Sequence, residues 1–110
     1  AWERAVVRQM CLVLVADTQP LQNLSVLRVI PDKEWPARVI RQGLNTFVGL
    51  VEKHGGMFSF GDRVTMADLC LIPQLYNARR FGIVVEEEFP RLAAIEQHCM
   101  ALEAFKLAHP

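Results

Sequence analysis

The fold is decided by the stretch Gly61-Asp62-Arg63-Val64-Thr65-Met66-Ala67-Asp68, which leads directly into an apolar run. Thr65 and Asp68 have the spacing of a capping box, with Asp in place of the usual Glu or Gln. We expect the Thr65 hydroxyl to accept from the Asp68 amide, and the Asp68 carboxylate to accept from the Thr65 amide. The pattern predicts a helix from Thr65 to about Arg80. Folding alone explains this box, so Asp68 is predicted to be structural rather than catalytic.

Apolar residues also recur at spacings of three and four on both sides of this stretch, which is typical of helices packed on a core. They predict one helix over 2–17, a second helical stretch over 21–30 after the break at Pro20, and a long helix from Asp32 to Gly55. Residues 57–62 form a short aromatic loop, and the acidic run 86–88 forms a turn before a last helix that begins at Pro90. The predicted fold class is all-α, a bundle of about five helices, two long ones followed by shorter ones.

Length and charge narrow the classes of partner. The chain has 110 residues, which corresponds to a single domain by the usual range of about 100–200 residues. Twelve basic and twelve acidic side chains cancel, which argues against nucleic acid, because phosphate binding requires a positive field. The longest apolar stretch, 10–16, is far shorter than the ~20 residues that span a bilayer, so no membrane partner is expected. A net charge of zero does little to oppose self-association.

Motifs for metal binding and nucleophilic catalysis are missing from the sequence. The three cysteines, Cys11, Cys70 and Cys99, are widely spaced and odd in number, as expected of apolar thiols in a reducing cytoplasm. No C-x-x-C or H-x-x-x-H spacing occurs, so no metal site is expected. Neither serine has an obvious histidine partner, and no glycine-rich phosphate loop occurs. The sequence therefore predicts no catalytic residue in this chain.

Two polar groups remain as candidates for binding. Gln19, Asn23 and Ser25 cluster beside the break at Pro20, and Gln19 and Asn23 are spaced to share one helix face. On chemistry alone, a solvated face explains this cluster better than a binding site does. Arg79 and Arg80 end the helix that begins at Thr65. Either both simply favour the negative end of the helix dipole, or one of them binds an anionic ligand through its planar guanidinium.

Several stretches resemble a known family. Gly61-Asp62-x-x-Thr65-x-Ala67-Asp68 resembles the capping-box motif in the C-terminal helical domain of cytosolic glutathione transferases. Residues 19–27, 64–74, 77–81 and 102–110 are similar to the zeta class, which contains the maleylacetoacetate isomerases. The capping box marks only the superfamily, whereas 19–27 and 77–81 point to the zeta class. The resemblance covers essentially the whole chain.

The resemblance implies a function and a set of site residues. It assigns Gln19, Asn23, Leu24 and Ser25 to the glutathione site, and Arg80, rather than Arg79, to the carboxylate of the substrate. The implied reaction is addition of glutathione, as co-substrate, to a conjugated cis double bond, then rotation, then elimination to the trans product. The implied substrates are maleylacetoacetate-like carboxylates, as in the catabolism of phenylalanine and tyrosine.

One part of the family pattern has no counterpart in residues 1–110. The thioredoxin-like N-terminal domain, which in the family supplies the thiol-activating serine and most glutathione contacts, is absent. We therefore expect a single helical domain, 1–110, which is either a fragment of a longer polypeptide or a separately encoded half, and which is inactive without that partner domain. The broad apolar surface of the first helix is predicted to dock against it or against a second subunit, as in a homodimer.

The alternative is a non-catalytic helical protein–protein interaction module of the same fold. The polar cluster at 19–25 together with Arg80 favours the enzyme, because a docking module needs neither.

Overall fold

The structure, a computed structural model, describes residues 1–109 and is helical throughout. Its elements are α1 Trp2–Val15, α2 Gln19–Gln22, α3 Leu24–Leu27, α4 Trp35–His54, α5 Met66–Arg80, α6 Val85–Glu88, α7 Pro90–Met100 and α8 Glu103–Ala108. Within 1–109 there is no β-strand, only an isolated bridge between Gly55 and Gly61. The all-α prediction is confirmed, and the longer segments α1, α4, α5, α7 and α8 match the expected number of about five helices. None of the helices described over these residues combines the length and the apolar character that a membrane span requires.

The segment after Pro20 differs from the single helical stretch predicted over 21–30. It forms two one-turn helices, α2 and α3, separated at Asn23, whose backbone is extended (φ −63°, ψ 146°). The Asn23 side chain accepts a hydrogen bond from the amide of Ser25 at 3.1 Å and so caps α3. Asparagine is a strong N-cap residue, and this local bond competes with continuation of the preceding helix.

The start of α4 also differs from the prediction. Glu34, not Asp32, is the N-cap residue, and the helix begins at Trp35. The Asp32 carboxylate instead accepts from the amide of Glu34 at 2.9 Å, which closes the turn just before the helix. The end of α4 is as predicted, because Gly55 follows the last helical residue, His54.

The core lies where α1, α4, α5 and α7 meet. Its fully buried large side chains include Met10 and Leu14 from α1, Phe47 from α4, Leu71 from α5 and Ile95 from α7. Helix α5 runs through this core despite Pro73 in its interior, and it packs against α1. The burial of apolar surface between these helices is the main stabilising contribution.

The packing of α1 accounts for most of its apolar arc. Two of its residues are fully buried, and four more, Val6, Val7, Cys11 and Val13, pack partly buried against the same core. Contacts with α4 and α5 inside the chain therefore explain most of the breadth of the arc. Trp2, Leu12 and Val15 are the large apolar side chains of α1 that stay exposed.

A close approach places α2 on α4. Thr18, the residue before α2, is buried, and its hydroxyl donates to the carbonyl of Val13 at 2.8 Å. A Cβ atom on Gly43 of α4 would lie only 1.9 Å from the Thr18 hydroxyl oxygen. Glycine at 43 is thus required for the approach of the 18–22 segment to α4.

The acidic run 86–88, expected to be a turn, belongs to the short helix α6. Arg41 of α4 donates two hydrogen bonds to Glu88, at 2.7 and 3.1 Å, and so holds α6 against α4. Pro90 occupies the first turn of α7, as predicted.

Candidate functional site

A polar hollow lies between α2 and the C-terminal end of α5. It has a volume of about 420 Å³ and is lined by Gln19, Gln22, Asn23, Leu24, Asn77, Arg80 and Phe81. Four of the five residues that the family resemblance assigned to binding, Gln19, Asn23, Leu24 and Arg80, therefore share one surface. Ser25 is exposed and lies outside the lining.

The groups that line the hollow suit a negatively charged ligand. Four carboxamide side chains and one guanidinium line it, and no carboxylate does. Arg80 is exposed and forms no ion pair with any residue of 1–109. An unpaired guanidinium offers a planar fork of N–H donors that matches a carboxylate.

The structure gives Asn23 and Ser25 a local role. The Asn23 side-chain oxygen accepts from both the amide and the hydroxyl of Ser25, at 3.1 and 3.2 Å. These bonds leave the side-chain NH₂ group of Asn23 available beside the hollow. Capping of α3 therefore sets how Asn23 is presented at this surface.

Arg79, the neighbour of Arg80, forms ion pairs within the chain. It donates to Glu96 of α7 at 2.6 and 2.8 Å and to Glu86 of α6 at 2.6 Å. The hydrogen bonds that Arg79 donates to Glu96 raise the pKa of Arg79, and the hydrogen bond that it donates to Glu86 lowers the pKa of Glu86. Arg79 thus connects α5 with α6 and α7, whereas Arg80 forms no such ion pair within residues 1–109.

Sequence reasoning did not single out Gln22, Asn77 and Phe81 as lining residues. Asn77 stands three residues before Arg80 on α5, and Gln22 stands three residues after Gln19 on α2. Residues at that spacing share a helix face, and this signal could have found both. Gln74, one turn before Asn77, is buried and donates to Gln22 at 2.8 Å.

A second hollow lies on the other face of α5 and is mainly apolar. It has a volume of about 340 Å³ and is lined mostly by α5, α7 and α8, with Ile72, Tyr76, Met100 and Phe105 among its residues. The Arg79–Glu96 ion pair forms part of its wall. None of the residues assigned to binding by the family resemblance faces it.

The capping box has the predicted structural role, and its Asp68 carboxylate also binds the loop before the helix. The carboxylate of Asp68 is fully buried and accepts from the amide of Thr65 at 3.0 Å and from the amide of Ser59 at 2.9 Å. The Thr65 hydroxyl also accepts from the amide of Ala67 at 3.3 Å. Asp68 therefore fixes the aromatic loop as well as the start of α5.

The thiols are not poised for nucleophilic chemistry. Burial, followed by a hydrogen bond with Cys70, raises the pKa of Cys11 to about 12, and burial raises that of Cys99 to about 12. Cys99 is buried, as expected, whereas Cys11 and Cys70 are half-buried where α1 meets α5. Within residues 1–109, no group of three or more His, Cys, Asp or Glu side chains could hold a metal ion.

Comparisons with known proteins agree with this geometry. The profile of the family "Glutathione S-transferase, C-terminal domain" matches residues 33–97. The maleylacetoacetate isomerases of Dictyostelium discoideum and Mus musculus are 41% and 37% identical to this chain, over 100% and 98% of it. The matches cover 53% and 51% of those proteins, so the chain spans about half the length of these relatives.

A solved structure shows the same likeness. The maleylacetoacetate isomerase from Anaeromyxobacter dehalogenans 2CP-1, with bound GSH in its active site, superposes with a TM-score of 0.93 at 43% identity. That match covers 99% of this chain and 53% of the other.

Proposed function

Because the chain belongs to the glutathione S-transferase C-terminal domain family, we propose that it is the helical domain of a glutathione-dependent cis–trans isomerase of the zeta class. The proposed substrates are maleylacetoacetate-like carboxylates. The observation that carries this proposal is the polar hollow, in which an unpaired arginine faces four carboxamides and no acid.

The proposed roles follow from the groups at the hollow. Gln19, Asn23, Leu24 and Ser25 contribute to the glutathione site, and Arg80 binds a carboxylate of the substrate through its planar fork. Ser25 acts from the edge, since its hydroxyl already donates to Asn23. Arg79 has no part in binding, because three of its donors, from both terminal nitrogens, are held by Glu86 and Glu96.

Glutathione supplies the thiol that adds to the conjugated cis double bond and leaves again after rotation about the resulting single bond. The contribution of this chain is to hold the substrate carboxylate and to orient the double bond. Fixed donors at the hollow also stabilise the negative charge that develops during addition. The chain offers no thiol-activating group of its own at this hollow, whose lining contains neither serine nor histidine.

The proposal includes a partner domain. The 110 residues act as a single helical domain that joins a thioredoxin-like glutathione-binding domain, and the joined protein forms a homodimer in the cytoplasm. The chain length, about half that of the relatives, supports the partner domain. The exposed Trp2, Leu12 and Val15 of α1 and the zero net charge are compatible with self-association.

The test compares the chain alone with the chain joined, at its N-terminal side, to a thioredoxin-like domain of the family. Isomerisation of maleylacetone is followed at saturating glutathione. We expect turnover by the joined protein and none by the isolated chain. Turnover by the isolated chain would show that the chemistry does not need a second domain. Inactivity of a folded joined protein would favour the interaction module instead.

A further inference from the structure

We propose that Gln74 is a positioning residue, which holds Gln22 with its amide N–H groups toward the polar hollow, and that Gln22 is a further donor to an anionic ligand. This inference rests on the proposed function, because it concerns the same hollow. It adds a residue that lines the hollow and a residue beneath it.

The contact between the two glutamines joins the core to the hollow. Gln74 lies on the buried side of α5 and is 1% exposed. Its NH₂ group donates to the side-chain oxygen of Gln22 at 2.8 Å. Gln22 is half-buried on α2 and lines the hollow. Within residues 1–109, this is the one hydrogen bond between a side chain of α5 and a side chain of α2.

This bond fixes the polarity of the Gln22 amide. A carboxamide has an acceptor oxygen at one end and two N–H donors at the other. Since the oxygen of Gln22 is bound by Gln74, its donors lie on the side away from that contact. They have no partner within residues 1–109, and they sit in the same lining as Arg80.

The side-chain oxygen of Gln74 shows that folding alone does not account for a glutamine at this position. This oxygen is buried and has no hydrogen-bond partner in the part of the chain that the structure describes. An unpaired buried oxygen destabilises a fold, and an apolar side chain of the same length would avoid that loss. The orientation of Gln22 provides the function that offsets it.

The binding test uses the 110-residue chain and malonate, a small dicarboxylate, with backbone NMR shifts as the readout. Gln22→Met and Gln74→Met should each weaken malonate binding by about 3–10-fold, as expected for the net contribution of one ordinary hydrogen bond. The double variant should bind malonate as tightly as the single variant with the lower affinity, because both changes act on the same donor, the Gln22 amide. Gln97→Met, at an exposed glutamine of α7, is the matched control and should leave the affinity unchanged.

A reversal of polarity sharpens the test. In Gln74→Glu, the carboxylate can only accept, so Gln22 must turn its N–H groups toward it and its oxygen toward the hollow. Malonate binding should then weaken more than in Gln74→Met. Where Gln74→Glu fails to fold, the two methionine variants decide.

The orientation can also be measured without ligand. In the parent chain, the side-chain amide protons of Gln74 should exchange slowly with solvent, and those of Gln22 should exchange fast. Gln22→Met should abolish the protection at Gln74. Protection at Gln22 instead of Gln74 would overturn the assigned polarity.

Two further outcomes separate this inference from the proposed function. Binding that Arg80→Ala abolishes but both glutamine variants leave unchanged would overturn the role of the glutamines alone. Additive losses in the double variant would have the same meaning, because they imply independent effects. Failure of malonate to bind both the parent chain and the protein joined to its thioredoxin-like domain would overturn both proposals for this hollow.

Discussion

The two ends of α5 use their polar groups in opposite ways. At the N-terminal end, Asp68 is fully buried, and its carboxylate accepts from the amides of Thr65 and Ser59. At the C-terminal end, Arg80 is exposed beside Asn77, and neither side chain has a hydrogen bond to the rest of residues 1–109. At the N-terminal end, the chain itself supplies the hydrogen-bond partners of Asp68. At the C-terminal end, Asn77 and Arg80 keep donors that a ligand can use. The comparison separates residues that build the fold from residues that serve a ligand.

The largest effect on stability is expected at the N-terminal end of α5, from the loss of Asp68. Asp68→Ala leaves two backbone N–H groups without their acceptor, one of them in a buried loop, and should lower the free energy of unfolding by about 2–4 kcal/mol. Urea unfolding followed by circular dichroism measures this loss. Asp62→Ala, which removes an exposed carboxylate bonded to the amide of Met57, is the control and should cost far less. Similar losses for the two variants would contradict a special role for Asp68.

The next largest effect is expected at the open end, and on activity rather than on stability. In the protein joined to its thioredoxin-like domain, Arg80→Ala should lower kcat/KM for carboxylate substrates by about 10–150-fold, the value of a charge-assisted contact of about 1.5–3 kcal/mol. Neutral electrophiles should be little affected, since they lack the group that Arg80 binds. Arg79→Ala is the control. Equal losses of kcat/KM for charged and neutral substrates would mean that Arg80 does not bind the substrate carboxylate and serves only as a cation at the end of the helix.

A smaller loss of stability is expected from the other half of the capping box. Thr65→Ala should lower the free energy of unfolding by about 0.5–2 kcal/mol, because the helix loses its N-cap acceptor while Asp68 keeps both of its bonds. Thermal melts check this, and Thr65→Ser, which retains the hydroxyl, should recover most of the loss. A melt of Thr65→Ala identical to that of the parent would mean that the cap contributes nothing.

The smallest effect is expected at Arg79, whose guanidinium lies at the open end but faces away from the hollow. Arg79→Ala should cost about 1 kcal/mol, because ion pairs that are partly exposed are weakened by solvent. Its dependence on pH has a definite sign. The pKa of Glu86 is lowered in the folded chain, so the contribution is present above its ordinary value of 4.5 and is lost as the pH falls. Urea unfolding at pH 7 and pH 3 should therefore show a larger difference between parent and variant at pH 7.

The two ends also differ in how far the sequence reveals them. The capping box depends on residues within one helical turn, so Thr65 and Asp68 could be assigned from their spacing alone. The bond from Asp68 to Ser59 could not, because it depends on how the aromatic loop folds back. The prediction of a turn at 86–88 is wrong for a related reason, because α6 is supported by the contact between Glu88 and Arg41, which lie far apart in the chain.

The hollow was only partly predictable. Family resemblance supplied Gln19, Asn23, Leu24, Ser25 and Arg80 as separate positions. Their arrangement required the chain to break at Asn23 and to bring α2 beside α5, which no local spacing predicts. The pairing of Gln22 with Gln74 joins residues that lie 52 positions apart. Periodicity reports which face of a helix is apolar, but not which polar side chains of two helices meet.

Gly43 does not line the hollow, but a substitution there would change the shape of the hollow. A methyl group there would collide with Thr18 and displace the segment that carries Gln19, Gln22 and Asn23. A glycine codon becomes an alanine codon by a single nucleotide change. Natural variation or laboratory evolution could therefore reshape ligand preference by one mutation that leaves every lining residue intact.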